Sequence, residues 1–298
     1  MNYELSNNKE RKKNDKNNIS FVPCIPHWDL NEIIMSNLVR ESIEDAIAFC
    51  KHRDTIVEKW ELKRFLKGSG GCLGINMHGN PGTGKSISAE AIAKAIDKKI
   101  IMVKLSEMVD SLQGQTEKNL SQLFDAAEED GHVILFDEAD SLLSKRSSGT
   151  NNSDATNLIK SHLLNLLDRK NAIVIFTTNF FKNYDRAFIR RILFNIHFPD
   201  PDVSELKKIW EFHLTPKVPK DITYDELAEM SIGLTGGDIK HITLKICTRL
   251  SAGRINNLNK ETARIIIEEY KNSIKQEQHK EQEIEIMSKN NQIINSNN

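Results

Sequence analysis

The 298-residue chain has few cysteines and no long apolar run. Its four cysteines lie far apart and form no CxxC pair, which argues against a zinc knuckle or a disulfide framework and favours reduced thiols. No apolar segment approaches the roughly 20 residues of a membrane helix, and the N-terminus is polar where a signal peptide is apolar. We therefore expect a cytoplasmic protein without a membrane segment. The cysteines are Cys24, Cys50, Cys72 and Cys247.

The chain also lacks an excess of charge of one sign, because 41 Lys and Arg residues face 42 Asp and Glu residues. A balanced charge creates no global field that would recruit nucleic acid or an anionic membrane. Nucleic acid is therefore disfavoured as a partner. The basic cluster between Lys9 and Lys16 leaves two interpretations open, a solvated tail and a local nucleic-acid arm.

Changes in composition divide the chain into five segments. Residues 1–20 are rich in Asn and Lys and poor in apolar residues, so we expect a disordered tail. Residues 21–67 have a mainly helical pattern, which "GSGG" at 68–71 ends. We predict an α/β core over 68–200, a helical domain over 201–272, and a charged helix end with a disordered tail over 273–298.

The α/β prediction for the core depends on alternation of two patterns. Short apolar runs at 73–77, 100–105, 132–137 and 172–179 are separated by segments with helical spacing. Such alternation predicts a mostly parallel sheet covered by helices on both faces. A ligand is then expected at the carboxyl ends of the strands.

A glycine-rich loop, "HGNPGTGKS", lies between the first apolar run and a helical segment. Its spacing matches the phosphate-binding loop, whose glycines let backbone N–H groups point at one anion while the next helix adds its positive end. Lys85 is expected to reach the β- and γ-phosphates, and the Ser86 hydroxyl to bind Mg²⁺. A glycine-rich turn that matches by chance is the alternative. The predicted nucleotide-binding residues here are Gly79, Asn80, Pro81, Gly82, Thr83, Gly84, Lys85, Ser86 and Ile87.

Polar residues end two further apolar runs, "VILFDEAD" and "VIFTTN". Asp137 is predicted to bind Mg²⁺ and Glu138 to deprotonate the attacking water. Asn179 can hydrogen-bond a γ-phosphate and the water without adding a charge. Taken alone, the acidic pair could cap a helix and Asn179 could be an ordinary turn residue.

The motifs "GNPGTGKS", "ILFDEAD", "FTTN" and "DRAFIRRI" occur in the order and approximate spacing of the AAA+ ATPases. Together with "GQTEKNLSQLFDAAE" and "LTGGDIK", they resemble the bacterial single-module members of that superfamily over about residues 28–272. The resemblance implies a P-loop NTPase sheet followed by a small helical lid. It also implies ATP and Mg²⁺ as cofactors and a homo-oligomer, a hexameric ring, that acts on a protein client.

The same resemblance assigns roles to individual positions. It implies that Asp137 and Glu138 form the second nucleotide motif and that Asn179 is the first sensor. Arg190 and Arg191 fall at the arginine-finger positions, and Lys240 falls where many relatives carry a sensor on the lid. An exposed helix charge is the alternative role for Lys240.

One departure from the family pattern concerns the loop after the second strand. Many protein-threading relatives have an aromatic residue, an aliphatic residue and glycine there, whereas this chain has Leu112, Gln113 and Gly114. Leucine offers less flat surface than an aromatic ring, which puts grip on an extended polypeptide in doubt. Leu112 is either a client contact or a core residue.

Three functions follow from these patterns. The first is an oligomeric, Mg²⁺-dependent ATPase that remodels or disassembles a protein partner. The second is a nucleotide-switched assembly factor that binds its partner without threading it, which the missing aromatic residue favours. The third is a DNA-associated ATPase, which the basic cluster favours and the balanced charge opposes.

Overall fold

A computed structural model describes residues 21–62, 71–104, 115–140, 151–179 and 185–276, with the side chains of 115 and 151–155 excepted. The described residues form two compact units, which divide between Pro199 and Asp200. The predicted tails at 1–20 and beyond 276, the basic cluster and residues 112–114 lie outside the described residues. Among the helices of the described part, none is both long enough and apolar enough to cross a membrane.

In its described part, the first unit contains a parallel sheet of five strands, whose order across the sheet is second, third, fourth, first and fifth in chain order. The predicted α/β class, a parallel sheet between helices, is therefore confirmed. The elements of this unit, in chain order, are a 3₁₀ helix Leu30–Glu32, α1 Asn37–Asp54, a π-helical turn Thr55–Lys59, β1 Leu73–Gly79, α2 Lys85–Ala95, β2 Ile100–Lys104, α3 Gln115–Asp130, β3 Val133–Asp137, α4 Asn151–Arg169, β4 Ile173–Thr178, α5 Arg186–Ile189 and β5 Ile192–Phe198.

Alternation along the strands divides the core into two layers. In β4, Val174 and Phe176 belong to one apolar cluster, whereas Ile173 and Ile175 contact the other. This follows from the period of two in a strand, which points successive side chains to opposite faces. Both faces of the sheet are therefore buried, as a parallel sheet between helices requires. The first cluster packs around α3 and α4, and the second around α1 and α2.

The edge strand β5 was not among the predicted apolar runs. Its residues alternate between buried Ile196 and Phe198 and exposed Leu193, Asn195 and His197. An edge strand of this kind needs only one apolar face, so it shows alternation and not a continuous apolar run.

The strand order brings three loops together. Strands β3, β4 and β1 are adjacent, all three run in the same direction, and Thr178 pairs with His78 at their carboxyl ends. The glycine-rich loop after β1, the acidic pair after β3 and Asn179 after β4 therefore meet at one edge of the sheet.

The second unit is helical in its described part. It contains α6 Val203–His213, α7 Tyr224–Met230, α8 Gly236–Ser251 and α9, residues 260–276. Capping boxes begin α6, α7 and α8, with Asp202, Thr223 and Thr235 as the N-cap residues. In its core, buried Trp210 donates from Nε1 to Ser231 Oγ at 3.0 Å.

Candidate functional site

The glycine-rich loop between β1 and α2 bends sharply, because Gly79, Gly82 and Gly84 all have positive φ values. A Cβ atom at Gly79 would collide with the Phe198 carbonyl oxygen of β5, so only glycine fits there. Gly84 is the N-cap residue of α2 and has a φ of 98°. The loop therefore leads directly into a helix N-terminus, the geometry that suits an anion.

Within the loop, the Asn80 carbonyl accepts a hydrogen bond from Thr83 Oγ1 at 2.8 Å. Pro81 and Gly82 are exposed, and Ile87 is half-buried in the first turn of α2. The tip of the loop is therefore exposed, whereas its last residue packs at the start of the helix.

Lys85 is the cation of this loop and is only 7% exposed. Its ammonium donates to the Gly79 carbonyl at 2.7 Å, to the Asn80 carbonyl at 2.8 Å and to Asn179 Oδ1 at 3.0 Å. Burial lowers the pKa of Lys85 from its ordinary value to about 8, although the Asp137 and Asp140 carboxylates oppose this shift. At pH 7 a charged ammonium therefore lies between the loop and the end of β4.

Ser86 and Asp137 are in direct contact although they come from different elements. Ser86 Oγ donates to Asp137 Oδ1 at 2.9 Å, with Oδ2 at 3.2 Å. Mg²⁺ prefers oxygen ligands and is usually held by one or two carboxylates together with substrate phosphates. An alcohol oxygen and a carboxylate side by side, next to a loop whose geometry suits an anion, therefore fit this ion.

Glu138 follows Asp137 in a tight turn after β3. Its φ is 55°, which is uncommon for a residue other than glycine, and its side chain is exposed. The turn is held by Thr177 of β4, whose Oγ1 accepts from the Glu138 N–H at 3.1 Å and whose carbonyl accepts from Ala139 N at 2.8 Å. Glu138 thus presents a solvent-facing carboxylate from a restrained backbone.

Asn179 is held from two sides. Its Oδ1 accepts from Lys85, and its backbone N–H donates to Asp140 Oδ1 at 3.0 Å. The Thr178 hydroxyl donates to the same Asp140 oxygen. The end of β4 is therefore hydrogen-bonded to the turn after β3, and Asn179 points toward the loop lysine.

His78 lies one residue before the loop and is buried. Its ring stacks at a tilt on His197 of β5, with ring centroids 4.9 Å apart. Burial, the neighbouring His197 and the Lys85 ammonium lower the pKa of His78 to about 4. A neutral imidazole therefore lies beneath the cation of the loop at physiological pH.

The two adjacent arginines have different environments. Arg191 forms a two-point ion pair with Asp168 of α4 and also donates to the Ala187 carbonyl at 2.8 Å. Arg190 is exposed, and no hydrogen bond or ion pair joins its side chain to any described residue. Arg191 is thus paired within its own chain, whereas the Arg190 side chain is exposed.

Lys240 belongs to the second unit, where it is exposed on α8. Burial and, to a smaller extent, the charge of Lys240 lower the pKa of His213 at the end of α6.

Sequence reasoning missed four residues that organise this edge of the sheet. Thr177 and Thr178 adjoin Asn179 in "FTTN", and Asp140 adjoins the acidic pair in "DEAD", so their positions in the motifs were a possible signal. Asp168 had no signal of this kind, because only the fold brings α4 to Arg191.

Comparisons with known proteins agree with this geometry. A profile of the "ATPase family associated with various cellular activities (AAA)" matches residues 75–200. The chain is 36% identical over 177 residues to "Cell division cycle protein 48 homolog" of Archaeoglobus fulgidus, covering 57% of this chain and 24% of that protein. It is 29% identical over 267 residues to "Cell division protein C" of Sulfolobus acidocaldarius, covering 84% and 67%.

A third relative is "Proteasome-activating nucleotidase 1" of Halobacterium salinarum, with 32% identity over 180 residues, which cover 57% of this chain and 44% of that protein. The chain therefore spans between about a quarter and two thirds of the length of these relatives. These three relatives do not test whether the chain belongs to the bacterial single-module subgroup, so that assignment stays a prediction.

Proposed function

Because residues 75–200 belong to the AAA family of ATPases, we propose that this chain binds ATP with Mg²⁺ and hydrolyses it as a homo-oligomer. The observation that carries this proposal is the convergence of Lys85, Ser86, Asp137 and Asn179 at one edge of the sheet, joined by direct hydrogen bonds. These are a cation, an alcohol, a carboxylate and an amide beside a glycine-rich loop. Phosphoryl transfer requires this set, since it depends on positioning and charge neutralisation.

In this proposal the loop from Gly79 to Ile87 binds the phosphates through its backbone. Lys85 contacts the β- and γ-phosphates, and at pH 7 it is charged because its pKa of about 8 lies above that pH. Ser86 and Asp137 hold Mg²⁺, which neutralises phosphate charge when it is bound.

Hydrolysis joins a water oxygen to the γ-phosphorus and breaks the bond from that phosphorus to the oxygen that bridges it to the β-phosphate. Glu138 accepts the proton of the attacking water, for which its exposed carboxylate and restrained backbone are suited. Asn179 hydrogen-bonds the γ-phosphate and orients that water.

Charge develops on the γ-phosphate on the side away from the loop lysine. We assign Arg190 of a neighbouring subunit to this side, since its guanidinium is exposed whereas Arg191 is paired with Asp168. A hexameric ring, implied by the family, brings such a residue to each site. Lys240 serves as the lid sensor of the same cycle.

The hydrolysis cycle is proposed to remodel a protein partner. One relative is named as a proteasome-activating nucleotidase, and a role in activating a protein assembly favours a protein client over a small molecule. All four cysteines are free thiols, which favours the reducing cytoplasm as the compartment.

Lys85→Ala tests the nucleotide site. It removes the ammonium that reaches the phosphates, so ATP binding measured by calorimetry and phosphate release should both be lost. Lys94→Ala is the matched control, because Lys94 lies on the same helix and forms an exposed ion pair with Asp29. Near wild-type affinity in Lys85→Ala would remove the site assignment.

The client is tested with Glu138→Gln, the form expected to hold ATP. Proteins captured with this variant in ATP, and not with Lys85→Ala, are candidate clients. Release that requires hydrolysis supports remodelling, whereas release on nucleotide exchange alone supports the switch function. Salt-sensitive DNA binding would favour the DNA-associated function.

A further inference from the structure

A single hydroxyl, that of Thr177, connects the two acidic residues of the site. Thr177 is 2% exposed and lies next to the end of β4. Its Oγ1 hydrogen-bonds Asp137 Oδ1 and also the Glu138 N–H. No role was predicted for Thr177 from the sequence.

The direction of both hydrogen bonds is determined by chemistry. A backbone N–H can only donate, so Thr177 Oγ1 accepts from Glu138. The hydroxyl proton then remains for Asp137, whose carboxylate can only accept. Ser86 donates to the same carboxylate oxygen, so two hydroxyls, one from α2 and one from β4, hold Asp137 Oδ1.

The hydrogen bond from the Glu138 N–H to Thr177 Oγ1 is important because of the Glu138 backbone conformation. A φ of 55° costs free energy for a residue with a Cβ, and such a conformation persists where surrounding contacts impose it. The hydroxyl and the carbonyl of Thr177 supply two such contacts, one to Glu138 N and one to Ala139 N.

We propose that Thr177 is a positioning residue that aligns the Mg²⁺ ligand Asp137 and the base Glu138 with each other. This inference rests on the proposed ATPase function. A ligating carboxylate depends on such outer contacts, and their loss typically lowers metal affinity or activity by ~10- to 100-fold. Thr177 therefore acts on metal binding and turnover without touching the nucleotide.

The neighbouring Thr178 provides a matched comparison within the chain. It is also buried, and its hydroxyl also donates to a carboxylate, but to that of Asp140. If the end of β4 only needed buried hydroxyls, loss of either hydroxyl would have the same effect. The proposal requires that only loss of the Thr177 hydroxyl weaken the contribution of Mg²⁺ to ATP binding.

The test compares Thr177→Val, Thr177→Ser and Thr178→Val in the full chain. Valine keeps the shape and removes the hydroxyl, whereas serine keeps the hydroxyl. ATP affinity is measured by calorimetry in Mg²⁺ and in EDTA, and the ratio gives the contribution of Mg²⁺. Thermal melting and steady-state turnover are measured in parallel.

We expect Thr177→Val to reduce the Mg²⁺ contribution by ~10-fold or more, with the affinity in EDTA unchanged. Thr177→Ser should restore it, and Thr178→Val should retain it. A wild-type ratio in Thr177→Val, failure of serine to restore it, or an equal loss in Thr178→Val would overturn the proposal. Absence of ATP binding in the wild-type chain would instead reject the underlying ATPase function.

A measurement on the wild-type chain covers the case in which the valine variant does not fold. The Glu138 amide should exchange slowly with solvent by nuclear magnetic resonance, although its side chain is exposed, because Thr177 accepts its hydrogen bond. Rapid exchange of this amide would overturn the proposed contact and with it the positioning role.

Discussion

Arg191 is joined to Asp168 by two parallel hydrogen bonds, from Nε to Oδ1 at 2.7 Å and from Nη2 to Oδ2 at 2.6 Å. This pairing links the end of α5 to α4, and it leaves the guanidinium without free donors on that edge. Arg190, the preceding residue, is exposed. Two adjacent arginines in one motif thus have different environments.

The first prediction concerns these two arginines. Arg191→Ala should lower the free energy of unfolding by about 0.5 to 1.5 kcal/mol, because it removes a two-point ion pair to the partly exposed Asp168 and the hydrogen bond to the Ala187 carbonyl. Arg190→Ala should change stability by at most about 0.5 kcal/mol but reduce hydrolysis by ~10³ or more. Urea unfolding and phosphate release measure the two effects. Loss of stability in Arg190→Ala with full hydrolysis would contradict the assignment.

A mixture of variants tests whether the site is shared between subunits. Arg190→Ala has an intact loop and Lys85→Ala an intact arginine, so mixed rings contain some complete interfaces. Activity should reappear on mixing and rise with protein concentration. Mixed oligomers that remain inactive would argue against a shared site.

The second prediction separates ATP binding from chemistry. Glu138→Gln keeps the shape of the side chain but removes the base, so ATP should still bind while turnover falls by ~10² or more. Glu129→Gln, at an exposed position on α3, is the control. Unchanged turnover in Glu138→Gln would mean that another residue activates the water.

The third prediction concerns acid stability. The pKa of His78 is about 4 in the folded chain and near 6.5 when unfolded, so the unfolded state binds more protons between these values. Stability should therefore fall as the pH drops from 6.5 to 4, by at most about 1.4 kcal/mol per pH unit from this group. His78→Phe should lack this contribution. Parallel stability curves for both proteins in urea unfolding at each pH would contradict it.

The fourth prediction concerns α9. Its Lys271 ammonium donates at 2.9 Å to the carbonyl of Met230, the last residue of α7, and at 2.9 Å to that of Ile232. Lys271→Met should lower the stability of the helical unit by about 1 to 2 kcal/mol, because these carbonyls lose a charged donor. Lys275→Met, an exposed lysine on the same helix, should change it little. Equal melting temperatures for the two variants would argue against this role.

The fold class and the nucleotide loop were predictable because their signals are local. Gly79, Gly82, Gly84, Lys85 and Ser86 lie within eight residues, and each residue type has a mechanical reason at its position. The buried strands were also recognisable in the sequence as continuous apolar runs, because both faces of a parallel sheet are covered. The edge strand β5 has only one buried face and was missed for that reason.

Contacts between distant residues depended on the tertiary structure. Ser86 and Asp137 are 51 positions apart and meet only because β3, β4 and β1 are adjacent in the sheet. The dual contact of Thr177 with Asp137 and Glu138, and the pairing of Arg191 with Asp168, arise in the same way. The sequence by itself determined which chemistry the chain carries, because backbone turns and apolar periodicity are encoded locally. Only the packing of strands and helices decided which threonine contacts both acidic residues and which arginine stays exposed, since hydrogen bonds between separate elements depend on their arrangement in space.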